Sequence, residues 1–215
     1  MNCILCQSTG THKWHEDKIR PYFKCETCSL IFVPRNFVLS AEKEKQRYDA
    51  HQNNNDDNNY REYLTKITLG ILPYLEKGSR GLDFGCGSST TLAALFEDHG
   101  FSVDSYDLYY FQKEELLQNK YDFIILSEVI EHLADPLETM QRLKSLLTAD
   151  GQFFIKTKYY PAEKELFSNW FYKRDVTHVQ FFSQKAMSRL AGILKMNEPE
   201  KIESEDLYRL KKELK

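Results

Sequence analysis

The stretch Ser79-Arg80-Gly81-Leu82-Asp83-Phe84-Gly85-Cys86-Gly87-Ser88-Ser89-Thr90, running on into Thr91-Leu92-Ala93-Ala94-Leu95-Phe96, decides the fold. A short apolar run ends on an acidic residue, a Gly-x-Gly turn follows, and apolar residues then recur at helical spacing. That is a strand, a turn and a helix, with glycines where the chain bends sharply and lies bare against a ligand. A lone Gly-x-Gly is weak; its surroundings make it specific. Phe101 to Tyr106 reads as a second strand ending at Asp107, about twenty residues past the turn, where a carboxylate reaches a ribose diol. Thr90 occupies the place of the last glycine in Gly-x-Gly-x-x-Gly, which weakens a pyrophosphate-cradling reading.

Further along, Tyr121-Asp122-Phe123-Ile124-Ile125-Leu126 reads as another strand running directly into Ser127-Glu128-Val129-Ile130-Glu131-His132-Leu133. A helix is expected from Leu137 to Leu147, then a turn at Ala149-Asp150-Gly151 and a strand from Gln152 to Thr157. Asp83-Phe84-Gly85-Cys86-Gly87, Asp107, Tyr121 to Leu133 and Leu146 to Gly151 together resemble the ordered motifs of class I S-adenosylmethionine methyltransferases. The resemblance spans residues 60 to 200 or so. It implies an α/β fold: a Rossmann-like, mostly parallel sheet of the seven-stranded type with helices on both faces. Few residues separate Asp107 from the next strand, so the usual third strand is expected to be short or absent.

By the same likeness Gly85 and Gly87 pass beneath the methionine moiety and Asp107 holds the ribose hydroxyls. Tyr60, Asp83, Cys86, Leu108, Ser127, Glu128 and Val129 complete the expected cofactor-binding set. Cys86 itself reads as a small filler of the turn. Ser89 replaces a third family glycine. Glu128-x-x-Glu131-His132 resembles the metal-contacting cluster of the ubiquinone-pathway O-methyltransferases; residues at the polar end of a helix are the preferred reading.

Toward the N-terminus stand two pairs, Cys3-x-x-Cys6 and Cys25-x-x-Cys28. A two-residue spacer folds as a knuckle that aims both sulfurs at one ion, and two knuckles complete the tetrahedron Zn²⁺ favours. A redox Cys-x-x-Cys needs one motif at a helix start, not two matched ones. The zinc is expected to be structural, since four thiolates leave no open position. A zinc ribbon over residues 1–38 is followed by a helical linker or cap segment, 39–77, and the Rossmann-like domain, 78–215. Within the linker, Ala41 to Asp49 has a helical composition, Asn53 to Asn59 reads as a loop, and apolar residues from Tyr60 onward return to helical spacing.

Beyond Thr157 the chain turns basic and aromatic, through Trp170-Phe171-Tyr172-Lys173-Arg174 to Thr177-His178-Val179-Gln180-Phe181-Phe182. Placed past the strands' carboxyl ends, this segment reads as a lid. The Thr177 to Phe182 stretch, with Arg47-Tyr48-x-x-His51 upstream, resembles a group of zinc-bearing bacterial methyltransferase-domain proteins. His178, then His51, are the candidate bases for an acceptor proton, because imidazole titrates near neutrality. Lys158, Lys173 and Arg174 are candidate contacts for an anionic acceptor. Ser183 to Met196 reads as a helix with a Ser cap, and residues 201–214 as a charged hairpin or a surface helix.

These residues predict transfer of a methyl group from S-adenosylmethionine to a small polar or anionic metabolite. The alternatives are a zinc-ribbon RNA methyltransferase and a non-catalytic S-adenosylmethionine-binding protein. A net charge of −3 over 215 residues offers no basic stripe, so nucleic acid is not an expected partner. No apolar run approaches the roughly 20 residues of a bilayer span, and Met1 to Ser8 has no signal-peptide pattern, which predicts a cytoplasmic protein without membrane contact.

Overall fold

The structure, a computed structural model, describes residues 1–50, 58–202 and 206–212. Its centre is a six-stranded sheet built from β4 (Arg80–Phe84), β5 (Ser102–Tyr106), β6 (Tyr121–Ser127), β7 (Leu147–Lys156), β9 (Glu200–Ile202) and β10 (Leu207–Lys211), in the order β5-β4-β6-β7-β10-β9. The first four strands are parallel; β10 runs antiparallel to β7, and β9 antiparallel to β10. No strand lies outside β5 among the described residues, in keeping with a third strand expected to be short or absent.

Phe123, Ile124, Ile125 and Leu126 are all fully buried because helices cover both sheet faces. Side chains alternate along a strand, and the burial follows that period. Phe123 and Ile125 join Phe154 against α2 (Asn58–Ile71) and α3 (Thr91–Glu97). Ile124 and Leu126 join Phe153 and Ile155 against α4 (Pro136–Leu146) and α6 (Gln184–Ile193). The Ser183 hydroxyl caps α6 by accepting the Ala186 N–H at 3.2 Å. No helix among the described residues is long and apolar enough to cross a membrane.

Several expectations need correction. Asn58 and Asn59 begin α2 instead of belonging to a loop; the rest of that Asn/Asp run lies outside the described residues. The expected turn at 149–151 is part of β7, whose pairing with β6 shifts register between Tyr121 and Phe123. Of the two readings of the tail the hairpin is the one found, β9 pairing with β10, whose Leu207 and Leu210 are fully buried.

A second sheet, β1 (Thr11–Glu16), β2 (Pro21–Cys25), β3 (Ile31–Phe32) and β8 (Gln180–Phe181), joins the N-terminal strands to the segment that precedes α6. Ile31 pairs with Phe181 and Phe32 with Gln180. Tyr22 and Ile31 are buried with Phe167, Tyr172 and Phe181 in one cluster. The aromatic segment expected as a lid therefore packs largely inward, against the N-terminal sheet, although Phe171 stays exposed.

Candidate active site

The chain reverses its direction of travel across the sheet at β4, with β5 on one side and β6 on the other. The crevice at the carboxyl end of such a switch point is where α/β sheets bind ligands. A cavity of about 900 Å³ opens there. All ten expected cofactor residues line it: Asp83 in β4 with Gly85, Cys86 and Gly87 just beyond, Asp107 and Leu108 after β5, Ser127 closing β6 with Glu128 and Val129 beyond, and Tyr60 on α2.

Gly85 (φ +80°) and Gly87 (φ +65°) take the left-handed conformation that glycine adopts without cost. A Cβ on Gly85 would stand 2.6 Å from Val129 Cγ2, so the turn and the end of β6 touch through bare backbone. The Asp107 carboxylate organises this seat. One oxygen accepts the Gly87 N–H at 3.0 Å, the other the Tyr109 and Tyr110 N–H groups at 2.7 and 3.1 Å. A carboxylate has about four lone-pair sites, which leaves acceptor capacity toward the cavity. Asp83 is buried; that burial and the neighbouring Asp107 raise its pKa to about 7.

The opposite wall comes from a segment that reads in sequence as a linker. On α1 (Ala41–Asp49), Glu44 accepts from the Tyr109 hydroxyl at 2.6 Å and from the Tyr48 hydroxyl at 3.1 Å, while Asp49 accepts from Tyr110 at 2.6 Å. Tyr48 and Glu44 line the cavity. The signal for this wall is the tyrosine pair after Asp107, whose hydroxyls need partners when the loop folds back.

At the floor, Glu128 (φ +55°) is the strained residue that redirects the chain after β6. Its carboxylate accepts from Lys156 at 2.9 Å and from the Tyr172 hydroxyl at 2.8 Å. Glu131 also bonds Tyr172 and is fully buried, not at the polar end of a helix. Burial and the adjacent Glu128 raise its pKa to about 8. His132 faces the cavity on a 3-10 turn, and burial, with His178 alongside, holds its pKa down to about 3.

His178 stands one layer back from the cavity. It is buried, its ring centroid 4.6 Å from that of His132, and it does not line the cavity wall. His51 lies outside the described residues. Two of the basic residues expected to meet an anion are occupied elsewhere: Lys173 is buried against Asp17 at 2.8 Å, and Lys158 pairs with Asp206 at 3.1 Å. Arg174 is not on the wall either; among the described lining residues Arg142 is the one permanent cation.

In the N-terminal segment, Cys3, Cys6, Cys25 and Cys28 bring one sulfur each within 4.8 Å of the others. The Cys3–Cys28 and Cys6–Cys25 separations are both 3.6 Å. Four thiolates at about 2.3 Å from a tetrahedral zinc lie roughly 3.8 Å apart, so the donor set and its spacing suit that ion.

A family model described as a methyltransferase domain matches residues 57–192. Among solved structures, the chain is similar to Burkholderia thailandensis 1,6-didemethyltoxoflavin-N1-methyltransferase, determined with 1,6-didemethyltoxoflavin and S-adenosylhomocysteine bound. The identity is 14% and the TM-score 0.56, over 95% of this chain and 99% of that one. The mitomycin 7-O-methyltransferase MmcR aligns with 73% of this chain and 57% of its own, at 13% identity and TM-score 0.47. No curated protein matches the chain in sequence. With more than half of its length matched by that model, and with this sheet order, the chain belongs to the methyltransferase-domain family, in the class I fold of S-adenosylmethionine-dependent enzymes.

Proposed function

We propose that the chain binds S-adenosylmethionine at the Gly85–Gly87 turn and transfers its methyl group to a small polar molecule. One observation carries this reading: the bare backbone of that turn and the Asp107 carboxylate share one cavity at the switch point of the sheet. The charges support the choice of cofactor. Glu44, Asp83, Asp107, Glu128, Glu138 and Asp175 line the cavity against the single Arg142; even with Glu128 offset by Lys156 and the Asp83 pKa raised to about 7, the lining is acidic. Such a lining repels a pyrophosphate and suits a sulfonium cation. The same balance favours a neutral or cationic acceptor over an anionic one, since Lys158 and Lys173 are already paired. A sulfonium is a strong electrophile, so holding the acceptor in line supplies much of what the reaction needs.

A small molecule, 1,6-didemethyltoxoflavin, is also what the similar N1-methyltransferase has bound. The four-cysteine centre, on this reading, holds a structural zinc. Its module is occupied in packing against β8 and the loop before it, which gives it a task other than contacting RNA.

Calorimetry with S-adenosylhomocysteine, followed by incubation of the protein with methyl-labelled cofactor and fractionated cell extract, tests the proposal. The expected result is one cofactor bound per chain, weakened roughly tenfold or more by Asp107→Ala, and label in a low-molecular-weight product. No uptake of the cofactor, or uptake indifferent to Asp107→Ala, overturns it.

A further inference from the structure

Behind the cavity wall, three side chains converge from two distant parts of the sequence. Glu131 and His132 come from the 3-10 turn after β6, and His178 from the loop before β8. One ligand atom from each lies within 4.8 Å of the other two. Both rings are held by backbone carbonyls, His132 Nδ1 by Thr177 at 3.2 Å and His178 Nδ1 by Tyr172 at 2.7 Å. A carbonyl oxygen can only accept, so each Nδ1 carries the proton and each Nε2 presents a lone pair. Backbone anchoring of one ring nitrogen is how proteins orient imidazoles whose other nitrogen binds a metal. Glu131 Oε2 is buried with no hydrogen-bond partner among the described residues. Glu128, which sequence spacing would pair with Glu131 and His132, has one oxygen on Lys156 and the other on Tyr172.

We propose that Glu131 Oε2 and the Nε2 atoms of His132 and His178 bind a divalent transition-metal ion at the wall of the cavity. Two imidazoles and one carboxylate suit a first-row metal such as Mn²⁺, Fe²⁺ or Zn²⁺ and leave coordination positions open. His132 is the ligand that also lines the cavity, so an acceptor oxygen reaches those positions from the cavity side. The acceptor class thereby narrows to molecules that present a hydroxyl or carbonyl oxygen. This narrowing rests on the methyl-transfer reading; the ion site does not.

The test is titration of the full chain, carrying one equivalent of zinc for its cysteine centre and freed of any excess, with Mn²⁺ followed by electron paramagnetic resonance of the free ion. A hard ion leaves the thiolate site undisturbed. One Mn²⁺ per chain should bind saturably, and Glu131→Gln and His178→Gln should each weaken it roughly tenfold or more. Zinc content and circular dichroism identify variants that remain folded. Enhanced relaxation of water protons by the bound ion should report its open positions. Absence of saturable Mn²⁺ uptake by the unaltered protein, or uptake unchanged in both folded variants, overturns the site; a bound ion without exchangeable water overturns the open positions. Calorimetry with S-adenosylhomocysteine on the same preparation separates the two readings: cofactor uptake without Mn²⁺ uptake sinks this inference alone, and the reverse sinks the proposed function alone.

Discussion

Gly85 concentrates the demands of the site on one residue. Its left-handed backbone costs an L-residue roughly 1–2 kcal/mol, and a Cβ there would press on Val129 at 2.6 Å. Forcing a methyl into so close a contact adds about 1–3 kcal/mol. Gly85→Ala is therefore expected to lower unfolding stability by ~2–5 kcal/mol in urea titration and to weaken S-adenosylhomocysteine binding. Adding Val129→Ala should return the packing part of the loss and leave the backbone part. A double variant no more stable than Gly85→Ala would show that the contact with Val129 is not what limits this turn. Gly87 differs: a Cβ placed on it would meet nothing within 4 Å, so there the constraint is backbone conformation alone.

At the scale of elements, the loop of residues 173–178 is fastened to the N-terminal sheet by Arg20. The buried guanidinium donates to the carbonyls of Val176, Asp175 and His178 at 2.6, 3.0 and 2.8 Å, and to that of Lys173 at 3.3 Å. A lysine ammonium cannot reproduce that fork. Arg20→Lys should cost about 2–4 kcal/mol in urea titration and speed hydrogen exchange at the His178 and Val179 amides, with unchanged exchange there counting against this role. Asp17 lies beside Arg20. Burial by itself would raise its pKa, but bonds from Lys173, from the Arg20 and Ile19 N–H groups and from Tyr22 outweigh that and lower it below the usual 3.8. A lowered carboxyl pKa stabilises the fold above the unfolded value and loses that contribution as pH falls. The melting temperature should thus drop on acidification below about pH 4, and Asp17→Asn should blunt that drop while lowering stability at neutral pH.

None of these long contacts can be read from sequence. The β4 turn, Asp107 and the β6 strand are legible because periodicity and turn chemistry act over a few residues. Arg20 and Val176 are 156 positions apart, and nothing local marks them as partners. His178 stands out in the sequence for its imidazole, yet whether an imidazole meets the cavity or stands behind it depends on how β8 joins the other sheet. The α1 segment gives no sign of being a cavity wall for a related reason: it buries no residue of its own, so its polar pattern carries no trace of a packed face.

The whole molecule divides its labour between the two sheets. The proposed cofactor seat is carried by the carboxyl ends of β4, β5 and β6, whose own pairing does not involve the N-terminal strands, although Cys3, Cys25 and Cys28 share a buried cluster with Leu82, Ile124 and Leu126. The wall containing His132 and Asp175 is backed by the loop that Arg20, Asp17 and β3 hold in place. On the proposal that the four cysteines hold a zinc, that ion is what ties β1 to β3 together at their cysteine ends. Stripping the zinc should therefore release β1 to β3, expose Tyr22, Ile31 and Phe181, and loosen residues 171–181 while the six-stranded sheet persists. The expected outcome is a protein that still takes up S-adenosylhomocysteine but has lost most methyl transfer, with hydrogen exchange rising in residues 20–33 and 171–181. Calorimetry and a labelled-methyl assay before and after chelation, with zinc then restored, would check it. Parallel loss of cofactor uptake and transfer would mean that the two sheets melt as one cooperative unit, and the separation of seat from wall would not hold.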